Sequence, residues 1–295
     1  MTTDHDAATV NDTGAATTVV KIGGARAVDP EGALEDVAEI SGGGADVVLV
    51  HGGSTKVDET LERLGIAPEY VETPDGVVGR FTDAETMEAF TMAMSSIRTD
   101  LVSGLQGLGV DAVGLSGVDG KLLHGPRKSA VRVLEDGKRK IRRGDHSGTI
   151  REVNAELLSA LIDAGHVPVV GPPMAGADDG AITPVNTDAD RAAAAIAAAL
   201  GARLVLLTDV AGVYADPDDP ATLIGAVETP AEMAILEDAA EGFMARKVMA
   251  ATEALEGGAS EVVVADANAE APVTGAIEGG GTHIHPGAID GVGGA

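Results

Sequence analysis

The chain has 295 residues, 44% of them apolar, with three Phe, two Tyr, no Trp and no Cys, and a formal net charge of −27. This is enough apolar material for a sizeable core, packed from Ala, Val, Leu and Ile, and it excludes disulfide frameworks and thiol chemistry. Residues 1–18 lack an apolar signal core and no apolar run reaches the ~18 residues of a membrane span, so the reading is a soluble, cytoplasmic protein that binds no membrane.

The acidity has its own meaning. A carboxylate-rich chain with only seven Lys and Ala-rich helices is expected of a protein kept soluble in near-saturated salt, hence of a halophile. At about 1 M ionic strength the Debye length is only ~3 Å, so charges there act through close, desolvated pairs rather than by steering.

In chain order, a polar tail over 1–17, expected to be disordered, precedes TTVVKIGG, the first β-branched run. A helix candidate follows at 30–41, then ADVVLVHGG, then helices at 54–65 and 83–107, with a glycine-rich end at Gly104–Gly109. Next come DAVGLSG, a helix at 150–164, HVPVVGPP, a helix at 187–200, ARLVLLTD, a helix at 243–257 and SEVVVAD. Continuous apolar runs alternating with helices predict strands buried on both faces of a mainly parallel sheet. The fold class is α/β, a three-layer αβα sandwich with ligands at the carboxyl ends of its strands. The reading divides it into an amino-terminal lobe at 18–180, a carboxy-terminal lobe at 181–285 and a flexible tail at 286–295.

One segment breaks this rhythm. Nine of the twenty basic residues lie between Lys121 and Arg143, against only Glu135 and Asp136, so the segment carries +7 while the rest of the chain carries −34. A three-residue E-D-G turn between VRVL and KRKI predicts a β-hairpin projecting from the layered body. Such a hairpin suits an acidic protein or polyanion. Without an aromatic residue for base stacking, and on a surface that otherwise repels polyanions, it argues against nucleic acid.

Two strands end in glycine pairs, Gly23-Gly24 and Gly52-Gly53. Each is either a tight turn or a place where backbone N–H groups approach an anion at a helix start. Neither a Walker A loop nor a strand-coupled GxGxxG is present. Lys21, near the end of a buried strand, needs an anion. Lys247, at the opening of a long helix, is either solvated or faces a phosphate. Asn186 and Asp190, four apart in VNTDADRAA, share a helix face, or else cap that helix. Two lysines, two glycine turns and an aspartate able to hold the lysines apart make a parts list for phosphoryl transfer, which needs positioned charge rather than covalent help.

Taken in order, KIGG, HGGS, GRFTD, VNTDADRAA, LLTDVAGV and GFMARKV resemble the amino acid kinase family over about residues 18–285, and most nearly its acetylglutamate kinase branch. GLSGVDGKLLHGPRKSAVRV followed by RRGDHSGTI is similar to the subgroup that phosphorylates glutamate or 2-aminoadipate joined through its α-amino group to the small acidic carrier protein LysW, in arginine or lysine synthesis. The resemblance implies ATP with Mg2+, no protein-held metal, a homodimer, and catalytic roles for Lys21, Lys247 and Asp190. It implies substrate contacts from His51, Gly52, Gly53, Ser54, Arg80 and Asn186, with Arg80 gripping a carboxylate. Nucleotide contacts fall to Gly23, Gly24, Asp209 and Met244, and carrier contacts to Lys128, Arg132, Lys138, Arg139, Lys140, Arg142 and Arg143. Ser54 stands where acetylglutamate kinases usually have a third glycine, and Asp188 where they usually have asparagine; both departures point to the carrier-dependent subgroup. The alternative is a kinase for free N-acetylglutamate.

His283-Ile284-His285 is set aside as a metal pair because no third ligand is near, and is read as a last edge strand. Met244, Val248, Ala251 and Leu255 are spaced as a helix core face. Arg143-Gly144-Asp145 spells an adhesion tripeptide for which a cytoplasmic chain has no receptor.

Overall fold

A computed structural model describes residues 17–23, 30–74, 76, 78–135 and 137–289. Gly24, the first sixteen residues of the amino-terminal tail and residues 290–295 lie outside that description.

The elements are β1 (Thr18–Ile22), α1 (Glu31–Gly42), β2 (Val47–His51), α2 (Ser54–Arg63), β3 (Tyr70–Glu72), β4 (Val78–Arg80) and α3 (Ala84–Gly107). Then come β5 (Ala112–Gly117), β6 (Leu123–Glu135), β7 (Lys138–Gly148), β8 (Glu152–Val153), α4 (Ala155–Asp163), β9 (Val167–Asp178), β10 (Ala181–Val185) and α5 (Ala189–Leu200). The chain closes with β11 (Arg203–Thr208), β12 (Ala226–Val227), α6 (Pro230–Ala239), α7 (Gly242–Glu256), β13 (Glu261–Asp266), α8 (Pro272–Ile277) and β14 (Thr282–Ile284).

The main sheet runs β12-β14-β13-β11-β1-β2-β9-β6-β7, with β5 and β10 also on β9 and β8 on β6, while β3 and β4 pair in a separate two-stranded sheet. β13, β11, β1, β2 and the first half of β9 are mutually parallel. Side chains alternate across this sheet because the strand period is two. Val19, Val48, Val50, Leu204, Leu206, Val262 and Val264 face the alanine-rich α5 and α7. Val20, Leu49, Val205, Leu207 and Val263 face α1, α3 and α8. The expected three layers are therefore present, and alanine on α5 and α7 lets those helices approach closely without aromatic bulk.

Several boundaries differ from the sequence reading. Residues 150–153 are extended rather than helical: Arg151 N–H donates to His124 O (2.8 Å), and Asn154 caps α4 by accepting from Leu157 N (3.2 Å). The basic ladder closes at Glu135 and Lys138, leaving two residues at the tip rather than three, with Gly137 at φ +72° where a side chain is disfavoured. β14 is not the edge, since β12 pairs outside it. Residues 286–289 are folded, with Ala288 fully buried, so the tail does not begin at 286. Among the described residues no helix is long and apolar enough to cross a membrane.

Asp36, on α1 and buried, accepts from Val273 N (2.7 Å) and Thr274 N (2.9 Å), tying the amino-terminal half to α8. Asp36→Ala leaves two donors unpaired, one of them buried, and is expected to lower unfolding free energy by about 2 kcal/mol. Urea titration checks this.

Candidate active site

Lys21, fourth residue of the fully buried β1, places its Nζ 2.6 Å from Asp190 Oδ1. Asp190 sits in the first turn of α5, where the helix dipole favours a carboxylate. Asp188 caps that turn, accepting from Asp190 N (2.9 Å) and Arg191 N (3.1 Å). From α7, Lys247 Nζ reaches Asp190 Oδ2 at 3.2 Å and Oδ1 at 3.5 Å. The structure thus brings together two ammonium groups from residues 226 positions apart and one carboxylate between them. Lys21 is 5% exposed and Asp190 9%.

Burial pushes the Asp190 carboxyl up, but the charges and hydrogen bonds of Lys21 and Lys247 together outweigh it and hold the group below its ordinary value. Burial lowers the Lys247 ammonium, Lys21 adds to that shift, and Asp190 opposes it. The site is a buried charge cluster with one cation in excess, a setting that a phosphoryl group entering between the ammoniums would neutralise.

At the end of β2, the structure puts His51 beneath the glycine turn rather than in it. The ring is 1% exposed, and it lies so close to Gly171 on β9 that a Cβ there would come within 2.2 Å of Nε2. Burial, reinforced by the Arg98 and Lys21 charges, outweighs the bond to Gly52 and lowers the imidazole to about 4. The ring is therefore neutral near pH 7; its Nδ1–H donates to Gly52 O (3.1 Å), since a carbonyl only accepts, and Nε2 has no partner among the described residues. A ring so enclosed reaches a ligand only through the turn it supports.

Gly52 N–H donates to Ile22 O (3.3 Å), which extends the β1–β2 ladder instead of leaving that donor for a ligand. Gly53 precedes α2 and has no room for a side chain: a Cβ would lie 2.3 Å from Ile97 Cδ1 on α3. Its lack of a side-chain cap leaves the first N–H groups of α2 without that partner.

Arg80 is held rather than free. Its Nη2 lies within hydrogen-bonding distance of Asp58 Oδ1 (2.7 Å), Tyr70 Oη (2.9 Å), Ser54 O (3.0 Å) and Ser54 Oγ (3.2 Å), which share its two N–H groups, and its Nε donates to Asp58 Oδ1 (3.2 Å). Asp58 and Tyr70 escape sequence reasoning because only the tertiary fold brings α2 and β3 to Arg80. Ser54 now has a structural partner that a third glycine would not supply.

Asn186 Nδ2 donates to Thr82 Oγ1 (3.2 Å), and its backbone bonds both His146 O (2.7 Å) and Gly148 N (2.9 Å), so the root of the basic hairpin is joined to it. Buried Asp145 accepts from Thr82 N (3.3 Å) and from the Ser147 hydroxyl. Gly23 follows β1, Asp209 is exposed just past β11 and accepts from Thr208 Oγ1 (3.1 Å), and Met244 is half-buried in the first turn of α7. Among the described residues no three His, Asp or Glu side chains group to hold a metal.

Of the proposed carrier contacts, Lys128, Arg132, Lys138, Arg139, Lys140 and Arg143 are exposed. Arg142 turns inward: it pairs with Glu69 and lies 4.2 Å over the Phe81 ring, so it seats the hairpin on the body.

A strand-end lysine and a helix-borne lysine on one helix-capped aspartate place positioned charge where a phosphoryl group could be transferred. The amino acid kinase family model matches residues 16–266, and the chain belongs to that family. It is 42% identical over 273 residues to the [LysW]-aminoadipate kinase of Thermus thermophilus, covering 90% of this chain and 99% of that one. It is 44% identical to the [LysW]-aminoadipate kinase of Deinococcus radiodurans, covering 90% of each. It is 42% identical to the acetylglutamate kinase of Methanopyrus kandleri, covering 90% of this chain and 99% of that one. Among solved structures, N-acetylglutamate synthase from Neisseria gonorrhoeae superposes with a TM-score of 0.72 at 25% identity over 92% of this chain and 59% of that longer chain. Carbamate kinase from Giardia lamblia gives 0.65 at 16% identity, over 92% and 98%, a likeness of fold.

Because Asp190 binds its proton more weakly folded than unfolded, its contribution to stability is present above the ordinary Asp value of about 4 and is lost as pH falls through the lower folded value. Asp190→Asn, which strands two buried ammoniums, is expected to cost about 3 kcal/mol at pH 7 and to flatten the acid limb of the stability curve. Denaturant titrations of both proteins from pH 7 to 3 test this.

Proposed function

We propose that this protein transfers the γ-phosphoryl group of ATP to the side-chain carboxylate of glutamate or 2-aminoadipate carried on a LysW-type protein. The product is an acyl phosphate for arginine or lysine biosynthesis. The observation that carries the reading is the convergence of Lys21 and Lys247 on Asp190, within 2.6 and 3.2 Å, in a chain that also bears a cationic hairpin with exposed lysines and arginines. Relatives at 42% and 44% identity named for carrier-linked aminoadipate support the substrate class.

A carboxylate oxygen attacks the γ-phosphorus as the bond to the β-phosphate bridging oxygen breaks, and ADP departs. The attacking group is already ionised near neutral pH, so no general base is needed. Lys21 and Lys247 stabilise charge on the moving phosphoryl group and the leaving oxygen, while Asp190 keeps the ammoniums in position. Mg2+ enters as MgATP, held mainly by phosphates and water. ATP lies over the carboxy-terminal lobe near Asp209 and Met244, and the amino acid near Arg80 and Asn186. With Asp58 on its Nε and Nη2 side, Arg80 offers a substrate carboxylate its remaining edge. The acidic surface suits a salt-rich cytoplasm, and the resemblance to the amino acid kinase family supports a homodimer; light scattering tests that assembly.

The second reading, a kinase of free N-acetylglutamate, is favoured by the acetylglutamate kinase relative from Methanopyrus kandleri. Turnover of acetylglutamate equal to that of carrier-linked glutamate and aminoadipate would sink the carrier reading. Lys247→Ala is expected to lower kcat by ~10² to 10³ with the preferred substrate. An unchanged kcat at saturating ATP removes Lys247 from the mechanism.

A further inference from the structure

The seven cations assigned to carrier binding do not share one face. Antiparallel pairing sets Ala130 opposite Arg143, Arg132 opposite Ile141, and Leu134 opposite Arg139. Directly opposed residues project to the same side, and alternate residues along a strand share a side. One face of the hairpin is therefore Ala130, Arg132, Leu134, Arg139, Ile141 and Arg143. The other carries Val131, Val133, Glu135, Lys138, Lys140 and Arg142. That second face is turned to the body through Val133, which is 1% exposed, and Arg142, which covers Phe81. Directly across from Val133, Lys140 is already paired with Glu135 at 2.7 Å.

The first face has the opposite character. Ile141 is 67% exposed. Arg132 lies directly across from it, and Arg139 and Arg143 flank it on its own strand at about 7 Å each. All three arginines are exposed, with no ion pair to a described residue. A single exposed isoleucine is ordinary on a protein surface. An isoleucine enclosed by three like charges, on a projecting ribbon of an otherwise acidic chain, is not explained by solvation: the guanidiniums repel one another, and nothing in the described chain relieves them.

We propose that this face is the docking surface for the carrier, with Ile141 as its apolar anchor and Arg132, Arg139 and Arg143 as the rim. The partner that fits is an acidic protein surface with an apolar depression, because an anchor ringed by polar groups that exclude water is how small interfaces gain affinity. The inference rests on the carrier reading and narrows it: Lys138 and Lys140 lie outside the contact.

The experiment measures binding of the full-length kinase to immobilised, glutamate-loaded LysW-type carrier at about 1 M salt, where the Debye length of ~3 Å silences charges not in contact. Ile141→Ser is expected to raise Kd about tenfold, and the Arg139→Ser/Arg143→Ser pair at least as much. The Lys138→Ser/Lys140→Ser pair, removing the same charge from the other face, is expected to change Kd by less than about threefold. Equal damage from the two double variants, or an unchanged Kd for Ile141→Ser, overturns the face assignment. Tighter binding of single-stranded RNA than of carrier, lost in the Arg139→Ser/Arg143→Ser pair, also overturns it and gives the face to a nucleic acid. A wild-type kinase that binds no carrier at any salt overturns the carrier reading itself.

Discussion

Asp190 is the point on which the architecture turns. Two ammonium groups beside each other in a largely water-free site repel strongly, and neither is tolerable there without a counter-charge. The carboxylate is fixed in turn: it occupies the first turn of α5, its own N–H is taken by Asp188, and α5 packs by alanine against α7, which delivers Lys247. β1, between β2 and β11 in the middle of the sheet, delivers Lys21 from the other side. The parallel sheet, the alanine-rich helix pair and the cap all serve to hold three charged atoms within hydrogen-bonding distance.

A second set of contacts extends this order outward. Thr82 is fully buried and receives Asn186 on its hydroxyl, while its carbonyl takes His146 N–H at 2.7 Å. Arg80 stands two residues before it and is clamped by Asp58, Ser54 and Tyr70. The hairpin root is thus hydrogen-bonded to the same short segments that carry the carboxylate-binding candidates. The hairpin root and the segments that carry Arg80 and Asn186 are therefore joined by direct hydrogen bonds.

The central strands were legible because β-branched runs ended in glycine at regular intervals, and Lys21 stood out because a lysine in such a run demands an anion. The pairing of Lys247 with Asp190 rested on motif resemblance, since no local pattern links residues 57 apart. Short strands such as β3, β8 and β12 fall below any periodicity window. α6 and α8 begin with Pro230 and Pro272, a first-turn signal that the alternation of runs concealed. The commitment of Arg142 to Phe81, and of Arg80 to Asp58, depended on tertiary neighbours that no spacing encodes.

The hairpin also resolves a conflict set by composition. A chain carrying −34 outside one short segment repels an acidic partner, and in concentrated salt it neither repels nor attracts at a distance. Recognition under those conditions has to come from contact: guanidinium against carboxylate at hydrogen-bonding range, and apolar area removed from water, which salt strengthens rather than screens. A two-stranded ribbon meets both needs, because its period of two separates an anchored face from a presented one. Val133 and Arg142 fasten their own face to the body, and the alternation then leaves Ile141 no direction but outward, among the arginines.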